Sequence, residues 1–587
     1  MEDVLILSED GKTLLDVKDK SVREVVIPDG VEIIGHSAFR DCSLEGIIMP
    51  DTINSIKSDA FFNCNCLKSI KIPNNVIFIG ESAFYGCESL RRVDIPTRVK
   101  TIEACVFSFC SSLEYVNIPY GVTSIEMHAF EGCKSLQDVD IPSCVETIGK
   151  YAFAGCISVR SIDIPNSVSE IDDYAFSGCT SLSDIDISNS VEYIGEHAFE
   201  GCCLLKSIDI PDNIIYIHSC TFKGCSSLQS IYIPKEVVEI GREAFRGCCS
   251  LSELDVPSGL VSIGQFAFED CKSLRNIRIP RDVTTIEKSV FKGCTSLEFI
   301  EMHDFITVIE DSAFYGCVSL QSICIPDGVT FTGWCTFANC KSLHSIGLPN
   351  GIEIIEYSTF SGCTSLQNIY IPNSVREIGI DAFNGCKSLV KIEIPYGVFE
   401  IGMRAFSDCI SLQNIVIPDN IRNINERTFE GCTALQNVVI SSNVDEIGSW
   451  AFSNCVALRE IVIPNGVMFI NEHAFSNCTS LHTIDIANSV QNIDSYAFSG
   501  CTALQSIDIP NSITDIGDYI FEGCISLCSI RFRHNNIEIE KAYVSDDAFE
   551  GVDFETCTLY IPSGTRWAYR HHPIFSKFKN IVTEIQK

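Results

Sequence analysis

The chain has 587 residues, of which 46% are hydrophobic and 20% charged, enough apolar material for a folded core. Its 77 acidic residues outnumber 42 basic ones, for a formal charge of −35, which argues against a phosphate-binding or nucleic-acid surface and against an anionic membrane leaflet. No stretch reaches the ~20 apolar residues that a membrane span needs, so the partner to expect is a protein, with no nucleic acid, membrane insertion or cofactor.

The first residues, Met1-Glu2-Asp3, are acidic and precede only a short apolar run, so no secretory signal is expected and the sequence by itself points to the cytoplasm. Val4–Leu7, Glu9-Asp10-Gly11 and Thr13–Leu15 read as a hairpin, giving an N-terminal cap over residues 1–21. From Phe39 onward a clock sets in. Phe61 is followed at intervals of 23 by phenylalanine as far as Phe521, and a cysteine stands three residues after each, from Cys42 to Cys524. Eighteen of the 20 prolines share one column of the same repeat; Ser188, His303, Ser441 and Ala487 replace it in four turns. A strict period of this length signals stacked structural repeats rather than several compact domains.

One turn shows the chemistry. Ser161-Ile162-Asp163-Ile164 alternates polar and apolar as a strand does, and Pro165 ends it by fixing φ and removing a donor. Asn166-Ser167 turns the chain. Val168 and Ile171, then Ala175-Phe176, return to the interior before Gly178-Cys179 closes the turn. A lone turn has nothing to bury these side chains against, so stacked copies must cover one another. Each fully buried Ile, Leu or Phe then contributes roughly 1.5–3 kcal/mol.

The unit Leu-x-x-Ile-x-Ile-Pro-x-x-Val-x-x-Ile-Gly-x-x-Ala-Phe-x-Gly-Cys, clear in Leu389, Ile392, Ile394, Pro395, Val398, Ile401, Gly402, Ala405, Phe406 and Cys409, resembles the leucine-rich repeat of the BspA-like family. The resemblance implies a right-handed leucine-rich-repeat solenoid of about 22 coils over residues 22–532, mostly β with short helical or 3-10 turns and a parallel sheet on one face. It also implies adhesion to host or neighbouring-cell proteins at a cell surface. After Phe532 the clock breaks. Cys557–Pro562 reads as a last strand and Thr565–Tyr569 as a short helix, so residues 533–587 form a C-terminal capping segment, locally basic at Arg566, Arg570, Lys577 and Lys579.

The 22 cysteines of the repeat column would lie one rung apart, inside the Cα window for disulfides. Superposed side chains point the same way, however, and buried Cys behaves as a small hydrophobe. A reduced ladder is expected, and with no C-x-x-C anywhere neither is a metal site.

Function must then lie on exposed columns. The outward position of each long strand carries Asp140, Asp163, Asp186 and Asp209 in succession, then Tyr232; later turns place Tyr370 and an apolar strip of Val416, Val439 and Val462 there. Rungs about 4.8 Å apart make the aspartates a row suited to a basic protein segment or a divalent cation. A solvated column that merely keeps the sheet soluble is the plain alternative. The valines suit an apolar contact, although cover by the C-terminal segment or simple β-propensity would also account for them. The histidines are scattered, with His128, His197 and His473 preceding Ala-Phe in distant turns, and no Ser-His-Asp set, P-loop or G-x-G-x-x-G after a strand is present. Without insertions to wall a cleft, a polysaccharide-degrading β-helix enzyme is the remote alternative. The expectation is a monomeric, non-catalytic protein-interaction scaffold; an intracellular scaffold or inhibitor is the second choice.

Overall fold

In the computed structural model, which describes residues 4–584, the chain is a parallel β-solenoid of about 25 turns with almost no helix. The outermost residues of both proposed caps, 1–3 and 585–587, lie outside the described part. The chain divides into two compact units, Met1–Glu301 and Met302–Lys587.

A turn has three sides. In most turns the long side is a strand of three or four residues; Ser161–Ile164 pairs in parallel with Asp184–Ile187, each residue opposite the one 23 positions later. After the proline corner a strand of only two residues forms a second ladder, as in Thr147–Ile148 beside Glu170–Ile171. On the third side alternate amides face different partners. Tyr151, Phe153 and Gly155 donate to Asp173, Ala175 and Ser177 of the next turn, while Ala152, Ala154 and Cys156 donate back within their own turn. Every backbone group in this sharply bent segment thereby finds a partner, the condition for burying it.

That alternation demands left-handed residues. Two positions before each repeat phenylalanine from Phe39 onward the backbone has φ near +57°, even where the side chain is Tyr151, Cys220, Phe266 or Trp450. This region costs an L-residue about 1–2 kcal/mol. The turn-to-turn hydrogen bond made by the same residue holds it there, for example Tyr151 to Asp173 at 3.0 Å. Two positions after the phenylalanine φ is again positive, and Gly178 occupies it at +72° without penalty.

The first unit opens on an antiparallel hairpin, Leu5–Leu7 with Thr13–Val17, whose second strand starts the short-strand ladder by pairing with Ile33–Ile34. The second unit ends on the long-strand side. Ser529–Phe532 pairs in parallel with Thr558–Pro562, and that strand with Asn580–Glu584. The 23-residue clock stops near Phe532, yet the ladder continues through these rungs. Longer connections carry helices at Asn536–Lys541 and Arg566–His571. These end rungs lift the turn count above the 22 that the phenylalanine column implies.

The core is a set of columns. Repeat phenylalanines lie face to face, with centroids 5.0 Å apart for Phe39–Phe61 and 5.5 Å for Phe153–Phe176, and the Leu, Ile, Val, Ala and Cys columns are buried around them. In the last turns the stack gives way to an edge-on cluster, Phe532 against Phe575 at 4.8 Å and 66°. Tyr569 is buried there and donates its hydroxyl to the carbonyl of His534 at 3.1 Å.

The cysteine column has its own bond. The Cys87 thiol donates to the carbonyl of Phe61 at 3.2 Å, a carbonyl that also accepts the Cys64 amide at 3.1 Å. The pattern recurs from Cys64 to Cys524. Burial pushes the Cys179 thiol up to about 12 and the Cys478 thiol likewise to about 12. All 32 cysteines are free; from Cys64 onward column thiols donate to a carbonyl of the neighbouring turn, as Cys179 does to Phe153 at 3.2 Å, while Cys42 at the start of the column turns to Arg40 of its own turn.

Candidate functional site

The outward column of the long strands alternates with buried isoleucines, and its members stand clear of the surface. In the first unit Asp140, Asp163, Asp186 and Asp209 are all exposed. Asp163 and Asp186 are direct ladder partners. Asp140 and Asp209 hold the same column in the flanking turns, although around Asp140 the strand shrinks to two isolated bridges at Asp138, to Tyr115 and to Ser161. Asp209 is opposite Tyr232, which is 51% exposed and donates its hydroxyl to Asp212 at 3.2 Å; that bond holds the phenol above its ordinary value. The four carboxylates project in parallel from successive rungs instead of converging. Among the described residues no group of three or more His, Cys, Asp or Glu is arranged to hold a metal ion.

In the second unit Val416 and Val439 are ladder partners and Val462 faces Asp485. The three valines are 60%, 57% and 61% exposed, so the C-terminal segment does not cover them. At the end of this strip a shallow groove of about 290 Å³ runs past Asp485 and Asp508, where Arg533 Nε donates to Asp508 at 2.8 Å. Tyr370 pairs with Gly347 and stands apart from the valines. The turn between, carrying Glu393, keeps only isolated bridges through Lys391, and an open groove of about 380 Å³ lies beside Tyr370, Lys391 and Glu393. Both grooves lie open on the sheet surface, and neither brings an acid and a base onto a common enclosed point, which is what cleft catalysis requires.

Two features of the other sides were missed by reading the strand column alone. Histidines that look scattered in sequence are stacked in space: His128, Tyr151, Tyr174 and His197 form a run with centroids 4.3–4.7 Å apart, and Trp450, His473, Tyr496 and Tyr519 form another. His128 Nδ1 lies 2.9 Å from Glu131 and His197 Nδ1 2.7 Å from Glu200. Because the rings stack face to face, they present edges outward. The second feature is an apolar column in the second unit beginning at Trp334, 58% exposed. A scan of every column at period 23 would have found both.

Short parallel strands in register, a leucine-rich core and columns of exposed side chains define a leucine-rich-repeat solenoid protein. The sequence model of the BspA type leucine rich repeat region (6 copies) matches residues 17–137, 100–228, 238–367, 354–481 and 446–565. The chain belongs to this BspA-type leucine-rich repeat family. Among solved structures it is similar to a leucine-rich repeat protein from Bacteroides ovatus ATCC 8483, with 28% identity over 68% of this chain and 87% of that one and a TM-score of 0.39. It is also similar to a leucine rich cell surface protein from Faecalibacterium prausnitzii A2-165, with 26% identity over 66% and 91% and a TM-score of 0.35. No curated protein matches the chain. Among the described residues no helix is long and apolar enough to cross a membrane.

Proposed function

We propose that the chain is a non-catalytic protein-interaction scaffold that recognises its partner through the outward columns of its long strands. The observation that carries this reading is the register: side chains such as Asp163 and Asp186, or Val416 and Val439, are exposed and held opposite one another by backbone hydrogen bonds. A surface ordered before binding loses little entropy when a partner arrives, so many weak contacts add up. The acidic row suits a basic protein segment, the valine strip and Tyr370 an apolar one. Membership of the BspA-type family favours a host or neighbouring-cell protein as the partner.

Affinity capture followed by quantitative mass spectrometry tests the reading. A partner held by the native chain is expected to fall by about tenfold or more, a loss of ~1.4 kcal/mol, with Asp140, Asp163, Asp186 and Asp209 changed to Asn, or with Val416, Val439 and Val462 changed to Ser. Equal recovery with both variants would remove the long-strand face from consideration. A second reading is an intracellular scaffold or inhibitor, because a chain with 32 cysteines suits a reducing compartment, where thiols persist. Alkylation in intact cells with a membrane-impermeant reagent separates the two: labelling of exposed Cys66, Cys324 and Cys528 marks a surface protein.

A further inference from the structure

The bend just after the short strands of the second unit carries a surface that the long-strand reading does not use. Trp334, Tyr357, Ile380 and Met403 are spaced by 23 and fall in one column. Trp334, Tyr357 and Ile380 are 58%, 43% and 44% exposed, and Met403 is half-buried. Their rungs are locked: the amides of Cys335, Ser358 and Asp381 donate to the carbonyls of Tyr357, Ile380 and Met403 at 2.8, 2.9 and 3.0 Å. The backbones are so close that a Cβ on Gly402 would stand 2.5 Å from the amide nitrogen of Ile380. Four successive large apolar groups on such a frame make a continuous stripe, which is what marks contact surfaces among otherwise scattered apolar residues.

Carboxylates border the stripe. Glu377 and Glu400 are ladder partners three residues before Ile380 and Met403, and Glu356 accepts the Trp334 indole N–H at 3.0 Å. None of these three carboxylates has an ion-pair partner among the described residues, whereas nearby Arg404 is engaged by Asp381. Burial, with Glu400 and Glu356 close by, holds Glu377 above the usual carboxylate range, so like charge is crowded here with no cation to relieve it. An open groove of about 420 Å³ joins Ile380 and Met403 to Glu400, Glu426 and Glu446.

We infer that this stripe is a docking site for a cationic amphipathic helix of another protein, its apolar face on Trp334, Tyr357, Ile380 and Met403 and its Lys or Arg side chains toward Glu356, Glu377 and Glu400. A helix laid along the stripe sets one apolar position per turn of ~5.4 Å against rungs of ~4.8 Å, so the mismatch over three intervals is only about 2 Å. The cations relieve the crowding of the carboxylates, which supplies specificity in addition to apolar burial. The inference rests on the protein-interaction reading but on a different face.

The test uses the full chain and a synthetic Leu/Lys peptide of roughly 14 residues with helical periodicity, against a scrambled peptide of equal composition that keeps the charge and loses the apolar face. Saturable binding of the periodic peptide, weaker by about tenfold for the scrambled one, is expected. Tyr357→Ser with Ile380→Ser should abolish that preference, and Glu377→Gln with Glu400→Gln should weaken binding and flatten its salt dependence. A photo-reactive peptide should cross-link at Ile380 or Met403, a readout that does not depend on the variants folding. Equal binding of both peptides, or cross-links confined to the long-strand face, overturns the assignment. So does self-association of the chain that the stripe variants abolish, which would give the surface to a second copy. Asp163→Asn with Asp186→Asn should leave peptide binding unchanged, and a loss of captured partner confined to that variant would leave the scaffold reading standing while this one fell.

Discussion

The Cys248 side chain fills a small apolar space and donates its one S–H to the carbonyl of Phe222 at 3.2 Å, a carbonyl already bonded to the Cys225 amide. Alanine would leave a void and withdraw the second bond. Cys248→Ala is therefore expected to destabilise by about 1–2 kcal/mol in denaturant unfolding; a change below the error of the measurement would show that the column is mere filling. Burial also governs reactivity, because the thiolate is the nucleophile. With Cys179 pushed up to about 12, native protein at mildly alkaline pH should alkylate at exposed Cys66, Cys324 and Cys528 and at column cysteines only after unfolding. The Phe and Cys columns were legible in the sequence because a period is a one-dimensional property. The left-handed backbone at Tyr151 or Trp450 was not, since it is imposed by a hydrogen bond to a residue 22 positions away and leaves no preferred side chain to read.

Elements were legible where the side chains alternate and hidden where they do not. Ser161–Ile164 announces itself by alternation, while the two-residue strands Thr147–Ile148 and Glu170–Ile171 are too short to carry a pattern and exist through their neighbours. The acidic row and the valine strip could be read because they lie on the alternating strand. The Trp334 stripe follows a bend with no local period. The C-terminal segment depends on chemistry rather than repetition. Arg531 Nε and Nη2 donate to the two carboxylate oxygens of Glu584 at 2.9 and 3.1 Å, and buried His534 donates from Nε2 to the carbonyl of Ile513 while its Nδ1 lacks a partner. Burial lowers the His534 pKa against that hydrogen bond and the nearby Glu538. A histidine held neutral in the fold takes up its proton more readily when unfolded, so its stabilising contribution is complete above the ordinary value of about 6.5 and declines as pH falls below it. Hydrogen exchange should show residues 533–584 opening first between about pH 7.5 and 5.5, the window that brackets the unfolded histidine. Half-buried His572 is lowered in the same direction, so His534→Gln should remove more of the pH dependence than His572→Gln. The reverse order would move the sensitive contact to His572.

At the scale of the molecule, stability in a stack of like turns is a sum of turn and interface contributions, and each turn touches only its neighbours. The first unit offers a clean test. Removing Arg160–Leu182 takes out 23 residues and joins Val159 to Ser183, so the leucine position, the proline corner and the Phe153 and Phe199 columns stay in phase with one rung fewer. The shortened chain should keep its circular dichroism and its cooperative unfolding, and its calorimetric enthalpy should fall by about 16 kcal/mol near 60 °C, from ~0.7 kcal/mol per residue. Removing only residues 160–170 deletes less but rotates every later side chain out of its column. Phe176 would then fall in the register of the proline corner at Pro165 and the thiols would lose their carbonyls. That shorter deletion should cost more than the longer one, with loss of cooperative melting or of soluble protein. A better tolerated half-turn deletion would mean that the columns do not carry the fold.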